Sequence, residues 1–382
     1  MSELISKRRR DRRGSFLGLD PILSVSVFLL LGFGVILVYA ATRDWFASIN
    51  LDPQYYLKRQ IINVIIGIAL AFGATLVDYR LLRAYTPIVW GIGVLGLVSV
   101  LIPGIGSTVN GARSWIAFPG GFQIQPAELA KISIIVGMSL ILSERLSSDG
   151  YPTDRQVLQS LAVAAVPLLL IIAQPDLGTV LIIAASVVTM IAISGARSRW
   201  VIGLLTLGVT GIYLAVATGQ VSEYQLRRLR SFVDPLADPQ ASGYQLRQAR
   251  VTIGSGGLFG KGLFSGPQTN GRFVPEQHTD FIFTVSGEEL GFLGSIIILI
   301  LFMAILMRSF AIARRTTDLF GKMVCVGVIS WFSFQIFENI GMTMGLMPMT
   351  GVPLPFLSYG GSSMFATMIG IGLIQNVYQR SR

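Results

Sequence analysis

The sequence is short of cysteine, histidine and charge. Cys325 is the only cysteine, His278 is the only histidine, and charged residues make up 13% of the chain against 52% for hydrophobic residues. A lone cysteine, which also falls in an apolar run, excludes internal disulfides and thiolate metal sites. What the chain has in abundance is apolar sequence. Runs of about 18 to 25 residues recur along it, and this length crosses the hydrocarbon core of a bilayer.

Ten such runs predict an all-α, polytopic membrane protein. We place them near 20–41, 61–77, 84–103, 126–143, 158–173, 177–194, 199–217, 281–308, 322–345 and 361–378. The prediction divides the chain into a basic tail at 1–19, a membrane domain at 20–378 and a C terminus at 379–382. One large loop, 218–280, joins the seventh and eighth spans. The first run is too long for the apolar core of a signal peptide, so no cleavable signal is expected.

The basic residues predict how these spans are oriented. A net charge of +10 can indicate nucleic-acid binding, but here the segments predicted to be cytoplasmic hold 18 Lys and Arg residues. The short outer loops hold only Arg43, Lys58, Arg59 and Arg113. Lys and Arg concentrate on the cytoplasmic side of membrane proteins, and long loops are largely exempt from this rule. Both termini are therefore predicted to be cytoplasmic, with no nucleic-acid partner, and Lys7–Arg13 is interpreted as an anchor beside anionic lipids.

Ionisable residues inside or at the edge of a span are costly in lipid, so each is a candidate for function. They are Glu128, Lys131, Asp176, Asp280, Glu288, Glu289 and Glu338. The predicted topology places Glu128, Asp176 and Asp280 on the outer side. Glu128 and Lys131 share a helix face, which fits either a self-neutralising ion pair or a reactive site. Asp176 fits either a helix N-cap or direct chemistry.

The outer loops hold further candidates. The segments EYQLRRLRSFVDP and GYQLRQARVTI predict short amphipathic helices suited to the membrane surface, the second ending at Gly254. The next turn, GSGGLFGKG, contains Lys261 and does not match a Walker loop. It could offer backbone N–H groups to a phosphate, or it could be a flexible, closely packed turn. In MPMTGVPLPFLSYGGSS, prolines and paired glycines predict a rigid re-entrant hairpin that presents Ser358 and Tyr359.

The eighth run begins with a carboxylate. Residues 290–307 contain no charge and can cross the membrane alone. The segment Asp280–Glu289 is therefore predicted to be a short helix that reaches outward toward the headgroups, which places Asp280 near water. His278 either contacts a substrate or is a satisfied loop residue. Arg113 and Trp115 add a cation and an interfacial aromatic residue upstream of Glu128.

Five motifs, read in order, closely resemble the SEDS family of cell-wall proteins, which includes RodA, FtsW and a sporulation homologue. They are QPAELAK, AQPDLGT, IGSGGLFGKG, PEQHTDFIF with GEELG, and PLPFLSYGGSS. The resemblance runs from residue 20 to residue 378. The GKG ending of the glycine turn is more similar to RodA, the elongation protein, than to FtsW, the division protein. The longer basic N terminus and the FVPEQHTDF segment depart from the family pattern without touching the expected site.

The resemblance implies a peptidoglycan glycosyltransferase that polymerises lipid II outside the bacterial cytoplasmic membrane, for elongation and rod shape. Its partner would be a class B penicillin-binding protein that crosslinks the strands. The family's catalytic Asp falls on Asp280, its acidic and basic pair on Glu128 and Lys131, and an important Trp on Trp115. Asp280 is expected to be the general base, with Lys131 and Arg113 stabilising diphosphate charge. Glu128 would orient Lys131 or help to activate the acceptor.

The expected site extends beyond these residues. Further substrate-binding candidates are Gln125, Asp176, Lys261, His278, Ser358, Tyr359 and Gly360. The reaction would invert an α-linked donor and release undecaprenyl diphosphate, with or without the help of a divalent cation, Mg²⁺ or Mn²⁺. Three other functions stay open: a flippase for the same lipid-linked precursor, a division-type polymerase of the same family, and a scaffold for the partner synthase. The sequence has no evident internal repeat and its candidates cluster on one side, which favours the enzyme over the flippase.

Overall fold

The computed structural model describes residues 18–109, 112–118, 122–144, 151–219, 223–234 and 242–381. These residues form fourteen helices and one three-stranded sheet. The basic run Lys7–Arg13, for which the sequence predicts a membrane anchor, lies outside the described residues.

The helices follow the predicted spans closely. Before the large loop they are α1 Pro21–Ser48, α2 Tyr55–Leu76, α3 Tyr79–Leu101, α4 Pro126–Ser143, α5 Asp154–Ile172, α6 Leu177–Ile193 and α7 Ser198–Ala217. After them come α8 Glu223–Val233, α9 Ser242–Ser255, α10 Pro267–Asn270, α11 Ile282–Glu289, α12 Gly291–Arg315, α13 Leu319–Met344 and α14 Gly361–Arg380. In the part of the chain that the structure describes, eight helices are long and apolar enough to cross a membrane: α1 to α5, α7, α12 and α13. The other two predicted spans coincide with α6, which has 17 residues, and α14, which has 20.

Helices α4 and α13 form the centre of the bundle. Within their most apolar segments, 83% of α4 and 72% of α13 are buried, whereas α7 is not buried at all. The close contact of the two central helices depends on Gly327, because a Cβ there would lie 2.5 Å from the side chain of Ile135. Small residues at helix contacts allow such backbone approach in membranes. The polar residues that α4 and α13 carry are therefore held inside the protein, away from lipid.

The ends predicted to be cytoplasmic lie together. Asp20 caps α1 by accepting a hydrogen bond from the Leu23 N–H at 2.9 Å, and it pairs with Nη2 of Arg308 at 2.6 Å. The Asp20 N–H also donates to Oε1 of Gln375 at 2.7 Å. The start of α1, the second half of α12 and the last turns of α14 thus meet at one end of the bundle, in agreement with the predicted topology.

A small sheet is the feature that the all-α prediction misses. It consists of β1 Gly106–Val109, β2 Ala112–Phe118 and β3 Phe122–Ile124, all antiparallel and paired in that order. Ile116 pairs with Gly106 on one side and with Ile124 on the other. The sequence carries the signal for this hairpin, since an Asn-Gly dipeptide between alternating residues is a strong indication of a tight β-turn.

The eighth predicted span consists of two helices, which agrees with the separate predictions for Asp280–Glu289 and 290–307. The segment 281–308 is divided into α11 and α12 at Gly291, whose φ is +69°. A side chain cannot be accommodated there, because a Cβ would lie 2.2 Å from the backbone nitrogen of Gly260. All eight residues of α11 are buried. This segment therefore packs inside the protein.

The two acidic residues of α11 attach the large loop to the bundle. The Glu288 carboxylate accepts hydrogen bonds from the backbone N–H and the hydroxyl of Thr269, both at 2.7 Å, and from the Gln268 N–H at 2.9 Å. The Glu289 carboxylate accepts one from the Phe264 N–H at 3.1 Å. A buried charge needs such hydrogen bonds. The two carboxylates therefore have a structural role, which is to hold the large loop against α11.

Candidate functional site

A cavity of about 580 Å³ lies at the end of the bundle opposite Asp20, which is the predicted outer end. The outer ends of α2, α4, α6 and α8, the strands β2 and β3, and the loops before α11 and α14 form its walls. Eight predicted site residues line it: Trp115, Gln125, Glu128, Asp176, His278, Asp280, Tyr359 and Gly360. The fold therefore brings together residues that are widely separated in sequence.

Asp280 lies in the turn before α11 and is half-buried against the cavity. Its backbone N–H donates to the Glu276 carbonyl at 3.1 Å, and its own carbonyl accepts from Nδ2 of Asn339 at 2.8 Å. Burial raises the pKa of Asp280 to about 6, and the nearby Glu276 also raises it, whereas Arg228 lowers it. A carboxylate with such a pKa is mostly ionised at neutral pH and is a better proton acceptor than an ordinary Asp.

Glu128 and Lys131 form an ion pair. Nζ of Lys131 is 2.9 Å from Oε2 of Glu128, and the two side chains are only 1% and 2% exposed. The same Nζ donates to Oε1 of Gln335 at 3.1 Å and lies 4.7 Å from the centre of the Trp331 ring. The structure thus favours the ion-pair interpretation of this spacing. Glu128 reaches the cavity wall, whereas Lys131 lies behind it.

Asp176 is the N-cap of α6. Its carboxylate accepts hydrogen bonds from the Thr179 N–H at 3.0 Å and from the Thr179 hydroxyl at 2.9 Å. Nε2 of Gln125 donates a third at 2.9 Å, which ties the start of α4 to the start of α6. Burial raises the pKa of Asp176, and the two hydrogen bonds from Thr179 oppose this by lowering it. Helix capping is therefore confirmed as one role of this residue.

An aromatic group forms the wall next to Asp280. The ring of Tyr56 lies 4.7 Å from that of His278 and 4.8 Å from that of Tyr359, measured between ring centres. The Tyr359 N–H donates to the His278 carbonyl at 2.9 Å. Burial lowers the pKa of His278 to about 4. The imidazole is therefore neutral at neutral pH and offers one hydrogen-bond donor and one acceptor.

The glycine turn is closely packed and does not line the cavity. The backbone N–H of Lys261 donates to the Glu288 carbonyl at 2.8 Å, and that of Gly262 donates to the Glu289 carbonyl at 3.1 Å. A Cβ on Gly260 would lie 2.1 Å from the Glu289 oxygen. Because protein carbonyls already use these N–H groups, the structure favours close packing over phosphate binding, and the Lys261 side chain is exposed outside the cavity.

Two other predicted residues lie away from the cavity. The Ser358 hydroxyl accepts a hydrogen bond from the Leu354 N–H at 2.8 Å and is buried inside its own loop. Arg113 belongs to β2, but it is not part of the cavity wall. The loop is therefore held by an internal hydrogen bond, and of the two predicted hydroxyl residues only Tyr359 lines the cavity.

Sequence reasoning misses two cavity cations, Arg59 and Arg228. Arg59 packs on Tyr55, with 4.4 Å between the guanidinium carbon and the ring centre. Nη1 of Arg228 donates to the Met349 carbonyl at 3.4 Å. Arg59 appears in the sequence only as one cation of an outer loop, and Arg228 as one of three arginines on an amphipathic helix. No local pattern distinguishes them, since only the folded chain brings them to the cavity.

Among the described residues, no group of three or more His, Cys, Asp or Glu side chains is arranged to hold a metal ion. These residues therefore do not form a ready-made site of three or more such ligands for Mg²⁺ or Mn²⁺.

Comparison with known proteins identifies relatives over nearly the whole chain. The FtsW/RodA/SpoVE family, described as "Cell cycle protein", matches residues 21–382. The stage V sporulation protein E of Bacillus subtilis (strain 168) is 38% identical over 95% of this chain and 98% of its own length. A probable peptidoglycan glycosyltransferase FtsW of Geobacter metallireducens is 36% identical over 95% of both chains.

Solved structures agree with these relatives. A chain from a peptidoglycan synthase complex that coordinates polymerization and crosslinking superposes with a TM-score of 0.79 at 29% identity, covering 96% of this chain and 99% of the other. The crystal structure of the Thermus thermophilus rod shape determining protein RodA gives a TM-score of 0.70 at 28% identity, covering 96% and 98%.

Proposed function

Because the chain belongs to the FtsW/RodA/SpoVE family, we propose that it is a peptidoglycan glycosyltransferase that polymerises lipid II at the outer face of the bacterial cytoplasmic membrane. The observation that carries this proposal is Asp280, a half-buried carboxylate with a raised pKa on the wall of a 580 Å³ cavity. The relative from Geobacter metallireducens is itself named as a probable enzyme of this class.

In the proposed reaction, Asp280 is the general base. Its carboxylate takes the proton from the 4-hydroxyl of the acceptor sugar, and the oxygen attacks the anomeric carbon of the donor. The bond between that carbon and the diphosphate oxygen breaks, and undecaprenyl diphosphate leaves with the electron pair. Direct displacement inverts an α-linked donor to a β-linked product, so one carboxylate beside the acceptor is sufficient.

The leaving diphosphate needs positive charge. Arg59 and Arg228 line the cavity, and planar guanidinium groups suit phosphate oxygens. Lys131 is paired with Glu128 behind the wall, so it acts on the diphosphate through its field and through the position of Glu128. This assigns the direct phosphate contacts to the two arginines, in place of the Lys131 and Arg113 that the sequence suggests.

We further propose that the protein works with a class B penicillin-binding protein and serves elongation and rod shape. The structurally similar synthase complex, which coordinates polymerization with crosslinking, supports the first part. The elongation role rests on the GKG motif at Gly260–Gly262 alone. The relatives named above at 38% and 36% identity are sporulation and division proteins, so this role stays a prediction.

The test is polymerisation of lipid II by purified protein, with and without the partner, whose transpeptidase activity is blocked. Native protein is compared with Asp280→Asn, which keeps the shape but cannot accept the proton, and with Asp52→Asn, a change to an exposed outer carboxylate that pairs with Lys58 and is not part of the cavity wall. We expect Asp280→Asn to lose about 10²- to 10⁴-fold in rate, and Asp52→Asn to resemble the native protein.

Two results would contradict the proposal. If Asp280→Asn makes polymer at the native rate, Asp280 is not the general base. Alternatively, native protein that makes no polymer but carries lipid II across vesicle membranes would be a flippase. Gel filtration and thermal unfolding of each variant establish that the comparison is between folded proteins.

A further inference from the structure

Two buried amides on α13 connect the separate parts of the site. Gln335 and Asn339 are four residues apart, so they lie on the same face of the helix, and both are fully buried. Buried amides are costly unless their polar atoms are hydrogen-bonded. Their partners therefore indicate what these residues do.

Gln335 contacts the ion pair and the re-entrant loop. Its Oε1 accepts from Nζ of Lys131 at 3.1 Å and from Nε1 of Trp331 at 2.5 Å. Its Nε2 donates to the Pro353 carbonyl at 2.7 Å. One side chain thus fixes the amine of α4 relative to the loop that borders the cavity.

Asn339 makes corresponding contacts to Asp280, the proposed base, and to the same re-entrant loop. Its Nδ2 donates to the Asp280 carbonyl at 2.8 Å and to the Val352 carbonyl at 2.7 Å. Val352 and Pro353 are consecutive, so the two amides hold neighbouring carbonyls of one loop. Between them they join α4, the turn before α11 and the loop before α14.

We propose that Gln335 and Asn339 are positioning residues that set the placement of Asp280 relative to the Glu128–Lys131 pair. This inference rests on the proposed glycosyltransferase function. Neither residue belongs to the cavity wall, so each acts through the residues that it holds. A displacement of about 1 Å in a catalytic group can cost about 10²-fold in rate, and a helix is a rigid support for such a constellation.

The first test is the kinetics of lipid II polymerisation by Asn339→Leu and Gln335→Met, which keep side-chain volume and remove the hydrogen bonds. Thr343→Val is the control, because Thr343 is fully buried on the same helix and its hydroxyl donates only within α13, to the Ile340 carbonyl at 2.8 Å. We expect kcat to fall at least about tenfold in both variants, with the KM for lipid II nearly unchanged, since the cavity wall stays in place. The control should keep the native kcat.

The pH dependence of the polymerisation rate distinguishes the role of Asn339 from that of Gln335. Asn339 holds Asp280 itself, so Asn339→Leu should move the acidic limb of the rate profile. Gln335 holds Lys131, so Gln335→Met should lower the rate and leave the limb in place. If the leucine variant does not fold, Asn339→Ser replaces it. Equal losses in Thr343→Val and Asn339→Leu, or native kcat in both amide variants, would overturn the proposal.

Hydrogen exchange provides a readout that does not require activity. In Asn339→Leu, backbone exchange should accelerate in 278–284 and 350–354, whereas Thr343→Val should match the native protein there. Unchanged exchange overturns the positioning role. If native protein makes no polymer but exchange changes as expected, the proposed function fails and the structural role of Asn339 stands.

Discussion

Two carboxylates share one cavity, and their surroundings differ completely. The Glu128 side chain is 2% exposed and pairs with Lys131 at 2.9 Å, inside the helix core. Asp280 is half-buried in a turn of the same cavity wall, where burial raises its pKa to about 6. Arg228 lies near it and lowers this pKa.

The difference separates two kinds of acidic residue in a membrane enzyme. A carboxylate paired with a buried cation is held in place by that pair, so it acts as a fixed element of the structure. A carboxylate whose ionised form is penalised by burial accepts a proton readily. On this basis we propose that Glu128 is a fixed element of the site and that Asp280 is the group that exchanges protons.

The largest effect on stability is expected from breaking the ion pair. Lys131→Met leaves the Glu128 charge buried without its partner, which costs about 3–5 kcal/mol of unfolding free energy. The double variant Glu128→Gln/Lys131→Met removes both charges and should recover most of that loss, while polymerisation stays low. Unfolding in detergent followed by circular dichroism checks this, and a double variant no more stable than Lys131→Met would contradict the pairing.

A smaller effect is expected at the N-cap of α6. Asp176→Ala removes the acceptor of the Thr179 and Gln125 hydrogen bonds and should cost about 1 kcal/mol. Asp176→Asn keeps a capping oxygen and should retain both stability and polymerisation. Loss of polymerisation in a stable Asp176→Asn protein would instead give this residue a part in the chemistry.

At Asp280 the effect on stability should have the opposite sign. Its pKa is about 6 in the folded protein against an ordinary 3.8, so the ionised carboxylate destabilises the fold above about pH 6. Asp280→Asn should therefore raise the melting temperature slightly at about pH 7.5, and this gain should shrink at about pH 4.5 as the native carboxyl becomes protonated. A lower melting temperature at both values would show that the carboxylate stabilises the fold.

The smallest effect is expected at the glycine turn. Lys261 is exposed outside the cavity, so Lys261→Ala should change the polymerisation rate less than about twofold. Arg228→Gln, on the cavity wall, provides the contrast and should lower the rate clearly. If Lys261→Ala lowers the polymerisation rate as much as Arg228→Gln does, the glycine turn takes part in substrate binding.

Much of this arrangement can be predicted from the sequence, because lipid makes each polar residue in a span informative. The spans, the pairing of Glu128 with Lys131 and the cap at Asp176 follow from hydropathy and helix spacing. The division of the eighth span into two helices is also predicted, but the left-handed backbone of Gly291 is not, since it depends on the close approach of Gly260, a contact made only in the folded chain. Arg59 and Arg228 are missed for the same reason.

The most direct test of this account is the rate of lipid II polymerisation against pH, for native protein and for Glu128→Gln. If Asp280 is the base, both proteins should lose activity below a midpoint near the pKa of Asp280, about 6, with a lower plateau in Glu128→Gln. If the acidic limb disappears in Glu128→Gln and persists in Asp280→Asn, Glu128 is the base and the assignment of the two carboxylates is reversed.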